Sequence, residues 1–592
     1  MSFFRASSLS LAQPEMSALT GRSDNQAGLI VRGIQMVRNK ARKASSRGKW
    51  AMLVTSCLLS LSSLSFAADP TSVPNANPKT PNTWKADILS PELIETPVAQ
   101  GSMPVENPSS LVGFYGYNND GPQLPVPGDL PSATHKVEAS KTEPDKNTYL
   151  VLDNQKGPDP NYNYGSHFLF QGHETGQIGY FTRVNLDADG PHRITLMADH
   201  DITGAPLPTY DGSTWYPFSE RLLLTAEAGA NGGVWQATLD FPSQVEDISG
   251  IFGRGGYEGI QGDRWGNLII VEDVGGKAGT TNPNAKQPNS FIYRFIPADR
   301  SDLKRGGRLQ ALQVFGRSGN PIVFHASNID GDILSADVRD LHTYHLVFRT
   351  RWVTLHDTAT NGFSPFNANA LAKAAGATPF KRPENGQFRP GTDFTEFFFD
   401  ETGDTDNRTQ AGRDFGGFGS IQKLTTLHNS DDGTLQLFYL CDIGHTGFDN
   451  TAFWTKDKVV FVEDRGDTLH TQANALDSAF LFDVRVDYAN GAQPVRILAQ
   501  GRDPSATLDS AFSGMPGFQN EGDNEITGWH LSNGDPSVNG LLGAGNPKPF
   551  HDGWRLFYTG QHGDNVTYEI LPSHLGDRDR DDFNDGRGQD FN

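Results

Sequence analysis

Short apolar runs recur along the chain, each closing on an acid or a histidine and each followed, after a polar loop, by a second apolar run. HFLFQGHE (His167 to Glu174) precedes IGYFTRVNLD, RLLLTAE (Arg221 to Glu227) precedes GGVWQATLD, and LIIVED (Leu268 to Asp273) precedes FIYRFIP. KVVFVED (Lys458 to Asp464) precedes DSAFLFDVRVD, and WRLFYTGQH (Trp554 to His562) precedes VTYEILP. Runs this short, rich in β-branched and aromatic residues and bounded by Gly, Asn and Asp, predict strands joined in hairpins. Such hairpins cannot each bury a face alone, so they must pack on one another, and radial stacking makes an all-β fold, a β-propeller. The acidic ends are 53 residues apart from Glu174 to Glu227, 45 from Glu227 to Glu272 and 191 from Glu272 to Glu463. That spacing predicts about six blades, with five or seven as alternatives. NANALAKAA (Asn367 to Ala375) is the one segment of clear helical propensity, which predicts a short helical insertion near 365–380.

Four segments follow from this pattern: an upstream extension and signal peptide over 1–67, an extended arm rich in Pro and Asn over 68–148, the propeller over 149–571, and an acidic polar tail over 572–592. A basic stretch (Arg38 to Lys49) leads into an apolar, serine-rich one (Trp50 to Leu64) and then Ser65-Phe66-Ala67, which predicts cleavage after Ala67, with Ala68 as the alternative. Met36 would start a leader of ordinary form, so Met1 and Met36 are both candidate starts. The apolar run is short for a membrane span, and no stable anchor is expected. A lipoprotein box at Val54 to Cys57 is a weaker alternative, because most of the apolar run lies after the cysteine. The expected location is periplasmic or secreted, in a bacterium.

Charge changes the picture once the leader is removed. The remaining 40 Lys and Arg against 68 Asp and Glu give a formal charge of −28. Such a field disfavours binding to nucleic acid and favours binding of Ca²⁺. Only Cys441 remains, which excludes an intramolecular disulfide. The tail DRDRDDFNDG (Asp577 to Gly586) lacks the glycine and the distal Glu of a calcium loop and reads as solvated.

If the strand ends face one rim, Glu174, Glu227, Glu272, Asp273, Glu463 and Asp464 meet in one polar mouth. Like charges a few ångströms apart raise one another's pKa, so bound cations are the expected resolution. His173 reads as structural, and His562 as either structural or a general acid. No GxSxG elbow, HExxH helix or P-loop occurs.

GRGGYEG, GNLIIVED and FIYRF, together with QGHE, LLLTAEAG, GATPFKRPE, EITG and TGQHGD in the same order between residues 149 and 570, resemble the PhoX family of bacterial alkaline phosphatases. The resemblance implies a six-bladed propeller whose mouth holds iron and calcium and hydrolyses phosphate esters. It implies Glu174, Glu227, Glu258, Glu384 and the Glu272/Asp273 pair as metal ligands and Arg382 as a phosphate contact. Ala226 stands where the family has an iron-ligating cysteine, Ala228 where it has a second Glu, and Tyr257 where it has a histidine, and the leader lacks a twin-arginine signal. Calcium is therefore the expected cation, with iron an alternative that Ala226 weakens. The expected function is an exported metal-dependent phosphatase, acting as a monomer on small phosphate esters with Arg382 and His562 as catalytic groups. The alternatives are another calcium-dependent hydrolase, such as a lactonase, or a non-catalytic calcium-stabilised binding propeller.

Overall fold

A computed structural model describes residues 69–80, 83–118, 141–176, 178–227, 232–405, 409–502 and 525–573. The expected leader over 1–67 and the tail from 574 onward lie outside the described residues. Among the described residues no helix is long and apolar enough to cross a membrane.

The strands form consecutive antiparallel sheets that make six blades. In chain order from the axis outward, the first blade is Pro144–Val151, His167–His173, Phe181–Asn185 and Ile194–Ala198, and the second is Ser213–Tyr216, Arg221–Ala226, Gly233–Ala237 and Val245–Asp247. The third is Tyr257–Gly262, Leu268–Glu272, Ile292–Pro297 and Gly307–Val314, and the fourth is Gly386–Phe388, Glu396–Glu401, Ser420–Thr425 and Asp432–Leu440. The strand Val347–Asp357 pairs with the outer strands of both the third and the fourth and merges them into one nine-stranded sheet. Phe448–Thr455, Lys458–Glu463, Ser478–Asp483 and Val495–Ala499 build the fifth, and Glu525–Ser532, Arg555–Gln561 and Val566–Pro572 the sixth. The innermost strands adjoin one another in a closed cycle, so the structure is a β-propeller.

The arm takes part in the sheets. Ile88–Leu89 adds an outer strand to the fifth blade and Leu93–Ala99 one to the sixth. The first blade begins at Pro144 rather than at 149. Its innermost strand opens PDKN, without apolar alternation, because Asp145 and Lys146 lie among the charged groups of the axis.

Period-two alternation assembles the core. Phe168 and Phe170 of the first blade pack with Leu222 and Leu224 of the second, whereas Leu169 faces the other way, towards Phe557 of the sixth. Ile269 and Val271 meet Phe397 and Phe399, while Leu268 and Ile270 meet Leu223 and Tyr216. Each blade thus buries two apolar faces against its neighbours. The predicted insertion forms the helix Ala368–Ala374; the Asn367 side chain caps it by accepting from Ala370 N at 2.6 Å, and Ala368 and Ala372 pack on the third blade.

Candidate metal centre

An acid stands at the start of the innermost strand of every blade or within two residues ahead of it. These are Asp145, Asp211, Glu258, Glu384, Asp449 and Glu525, in that order around the ring. The innermost strand runs antiparallel to the next, so its start lies beside that strand's end: Pro144 pairs with His173, Tyr257 with Glu272, Phe448 with Glu463 and Glu525 with Gln561. The acids of both strands therefore share one rim.

Alternation decides which of them enter the mouth. Glu174, Glu227, Asp273, Asp464 and His562 each follow the last residue of a second strand. Glu272 and Glu463, one residue earlier, turn into the blades. Glu272 accepts hydrogen bonds from Phe291 N at 3.1 Å, Tyr293 Oη at 2.9 Å and Asn369 Nδ2 at 3.0 Å. Glu463 pairs with the buried Arg465 at 2.6 Å and accepts from Thr446 N at 3.0 Å. His173 lies between Thr142 and Thr182 and stacks on Tyr180.

Two sets of carboxylates converge. Glu174, Asp211 and Glu227 each offer an oxygen within 4.8 Å of the others, and so do Glu258, Glu384 and Asp449. The first set is partly open to solvent at Glu174 and Glu227, and the second is buried. Burial, reinforced by neighbouring carboxylates, pushes Glu174, Asp211, Glu258, Asp449 and Glu525 well above the usual carboxylate range. Glu227 and Glu384 are pushed up to about 8 by burial and the Asp273 charge, with Arg382 opposing. Each group thus meets the desolvation and repulsion that a bound cation would relieve.

Arg382 lies beside the second set, with a left-handed backbone (φ 56°). Its guanidinium grips Asp273, reaches Glu384 at 3.1 Å and donates to Thr405 Oγ1 at 3.0 Å. His562, also left-handed (φ 69°), has its Nε2 3.4 Å from Glu525 and 3.7 Å from Glu143. The sequence reading missed Asp145, Asp211, Asp449 and Glu525. Their signal is an acid one or two residues ahead of Gly or Asn at the opening of a polar strand: PDKN, YDGS, FDNT and, more weakly, NEITG.

The donor set is oxygen-rich and suits hard cations such as Ca²⁺. Ala226 is fully buried in the apolar contact between the first two blades. The Tyr257 hydroxyl donates to Phe252 O at 2.6 Å. Cys441 is buried between the fourth and fifth blades, where burial pushes its thiol well above its ordinary range. No soft ligand therefore faces either carboxylate set among the described residues.

Residues 267–470 match the family model described as Alkaline phosphatase PhoX, in agreement with the resemblance read from the motifs. The matched span holds Asp273, Arg382, Glu384, Asp449 and Asp464. Among solved structures, the chain is similar to Pseudomonas fluorescens PhoX in complex with vanadate, at 12% identity and a TM-score of 0.48, over 86% of this chain and 98% of that one. It is also similar to the Pseudomonas aeruginosa periplasmic gluconolactonase PpgL, at 14% identity and a TM-score of 0.30, over 81% and 97% of the two chains. No curated protein matches the chain.

Proposed function

We propose that this chain is an exported phosphatase that holds hard cations, calcium foremost, in the two carboxylate sets and hydrolyses small phosphate esters at the propeller mouth. The observation that carries the reading is the pair of three-carboxylate sets at one rim with a guanidinium that pairs with Asp273 and with Glu384 of the second set. The family match over 267–470 supports the phosphatase assignment.

Glu174, Asp211 and Glu227 would hold one cation and Glu258, Glu384 and Asp449 another. Bound cations supply polarisation of the phosphoryl oxygens and a water of lowered pKa. Arg382 takes two phosphoryl oxygens in the planar, two-pronged geometry it now gives to Asp273, and stabilises the charge that develops there. Water attacks phosphorus as one of its protons passes to a carboxylate of the mouth, the phosphorus–oxygen ester bond breaks, and His562, in its protonated form, gives a proton to the leaving alkoxide. Tyr257 and Cys441 take no part.

The test is metal analysis of the protein from its native compartment, joined to hydrolysis of p-nitrophenyl phosphate with and without a chelator. Calcium bound in stoichiometric amount and activity lost on chelation are expected. Bound calcium without hydrolysis of any phosphate ester would favour the binding-propeller alternative, and no bound metal would end the reading.

A further inference from the structure

The floor of the mouth holds a charge that this mechanism leaves unused. Lys146 follows Asp145 on the innermost strand of the first blade and is buried. Its ammonium donates to Asn385 Oδ1 at 3.0 Å and to Asn450 Oδ1 at 3.2 Å. Both asparagines turn their amide nitrogens towards acids. Asn385 Nδ2 donates to Glu258 Oε1 at 2.9 Å and Asp449 Oδ1 at 3.3 Å, and Asn450 Nδ2 donates to Asp449 Oδ2 at 2.7 Å. An ammonium can only donate, so it fixes each amide with oxygen towards itself and nitrogen towards the carboxylates. Gly259 leaves room for this arrangement, since a Cβ there would lie 2.8 Å from Asn385 Oδ1.

The place Lys146 fills is a set of hard oxygens. Two amide oxygens point at its amino group; burial lowers the Lys146 pKa, and the acids Asp449, Asp145, Asp400 and Glu258 oppose this by favouring the charged form. Carbonyl-type and carboxylate oxygens together are what calcium takes when no ammonium is present. We infer that Lys146 is a resident cation of the centre, occupying a position behind Asn385 and Asn450, next to the Glu258–Glu384–Asp449 set, that would otherwise take a metal ion, and orienting the two asparagines as donors to that set. The inference rests on the mouth being a cation site.

The test is calcium binding to the full mature chain, by equilibrium dialysis and calorimetry after chelation, for the wild type, Lys146→Met and Lys146→Arg. Lys146→Met should bind one calcium ion more per chain, or bind its tightest ion at least about tenfold more tightly, because a positive charge has left a low-dielectric site. Lys146→Arg keeps the charge and should stay within about twofold of the wild type. A Lys146→Met chain that melts cooperatively only with calcium present also supports the inference, since the ion then replaces the ammonium. Unchanged or weaker calcium binding by Lys146→Met, an equal gain by Lys146→Arg, or a Lys146→Met chain unfolded even in calcium would overturn it. Failure of the wild type to bind any calcium would instead strike the cation site itself.

Discussion

Arg382 clamps Asp273 with two parallel hydrogen bonds, Nε to Oδ1 at 2.9 Å and Nη2 to Oδ2 at 2.7 Å. The guanidinium thus rests on a carboxylate in the geometry it would give a phosphate, and Asp273 competes with substrate for it. Arg382→Ala should weaken inhibition by inorganic phosphate by about tenfold to a hundredfold, the cost of charge-assisted hydrogen bonds. Its calcium content should be unchanged. Asp273→Asn should leave phosphate binding equal or tighter. A phosphate inhibition constant for Arg382→Ala equal to that of the wild type would remove Arg382 from the site.

Glu258 and Glu272 lie on paired strands of the third blade but belong to different environments. Glu258→Gln keeps the side-chain shape and removes a charge from the buried set, so hydrolysis should fall by at least about a hundredfold with the melting curve retained. Glu272→Ala leaves Phe291 N and Tyr293 Oη without their acceptor, and should cost about 1–3 kcal/mol of stability while calcium stoichiometry stays fixed. Thermal melts and metal analysis of the two variants, side by side, check the division.

That contrast marks what the sequence could disclose. The repeated hairpins were legible because the second strand of each blade is buried on both faces and reads as a continuous apolar run, as in LIIV and VVFV. Their acidic ends disclosed the rim. Which member of a pair enters the mouth turns on a one-residue alternation, and Glu272 and Glu463 turn inward while Asp273 and Asp464 turn to the axis. The innermost strands were hardest to read. Asp145, Asp211 and Asp449 sit in polar, glycine- and asparagine-rich stretches that resemble loops, because the axis they line is charged rather than apolar.

Glu227 and Glu384, both raised to about 8 from an ordinary value of 4.5, bind protons more tightly in the folded chain than in the unfolded one. Their contribution to stability is full below about pH 4.5 and is lost as pH rises towards 8. In chelator the melting temperature should therefore fall across this window. Calcium, which favours the ionised carboxylates, should flatten the fall, and at a hundredfold excess over its Kd should add about 2.7 kcal/mol. Melting curves across pH 5 to 9, with calcium and with chelator, would refute a cation site here if they superimposed.

A second titrating contact lies on the outer strands, where the arm crosses from the fifth blade to the sixth. The Tyr558 hydroxyl lies within hydrogen-bond reach of both Asp87 and Glu95, with one proton to donate, and Asp87 also accepts from Gly501 N. Burial, then the Asp87 charge, pushes Glu95 up to about 8. Between about pH 4.5 and 8 the folded chain holds one proton here that the unfolded chain releases, so stability falls with rising pH, by at most about 1.4 kcal/mol per pH unit. Calcium held by the rim carboxylates as proposed would not involve this pair, so a residual pH dependence should persist in saturating calcium. Glu95→Gln keeps an acceptor for Tyr558 and removes the titrating group, and should abolish that residual slope. A calcium-saturated Glu95→Gln chain whose melting temperature falls between pH 5 and 8 as steeply as that of the wild type would show that the arm's contact does not set it.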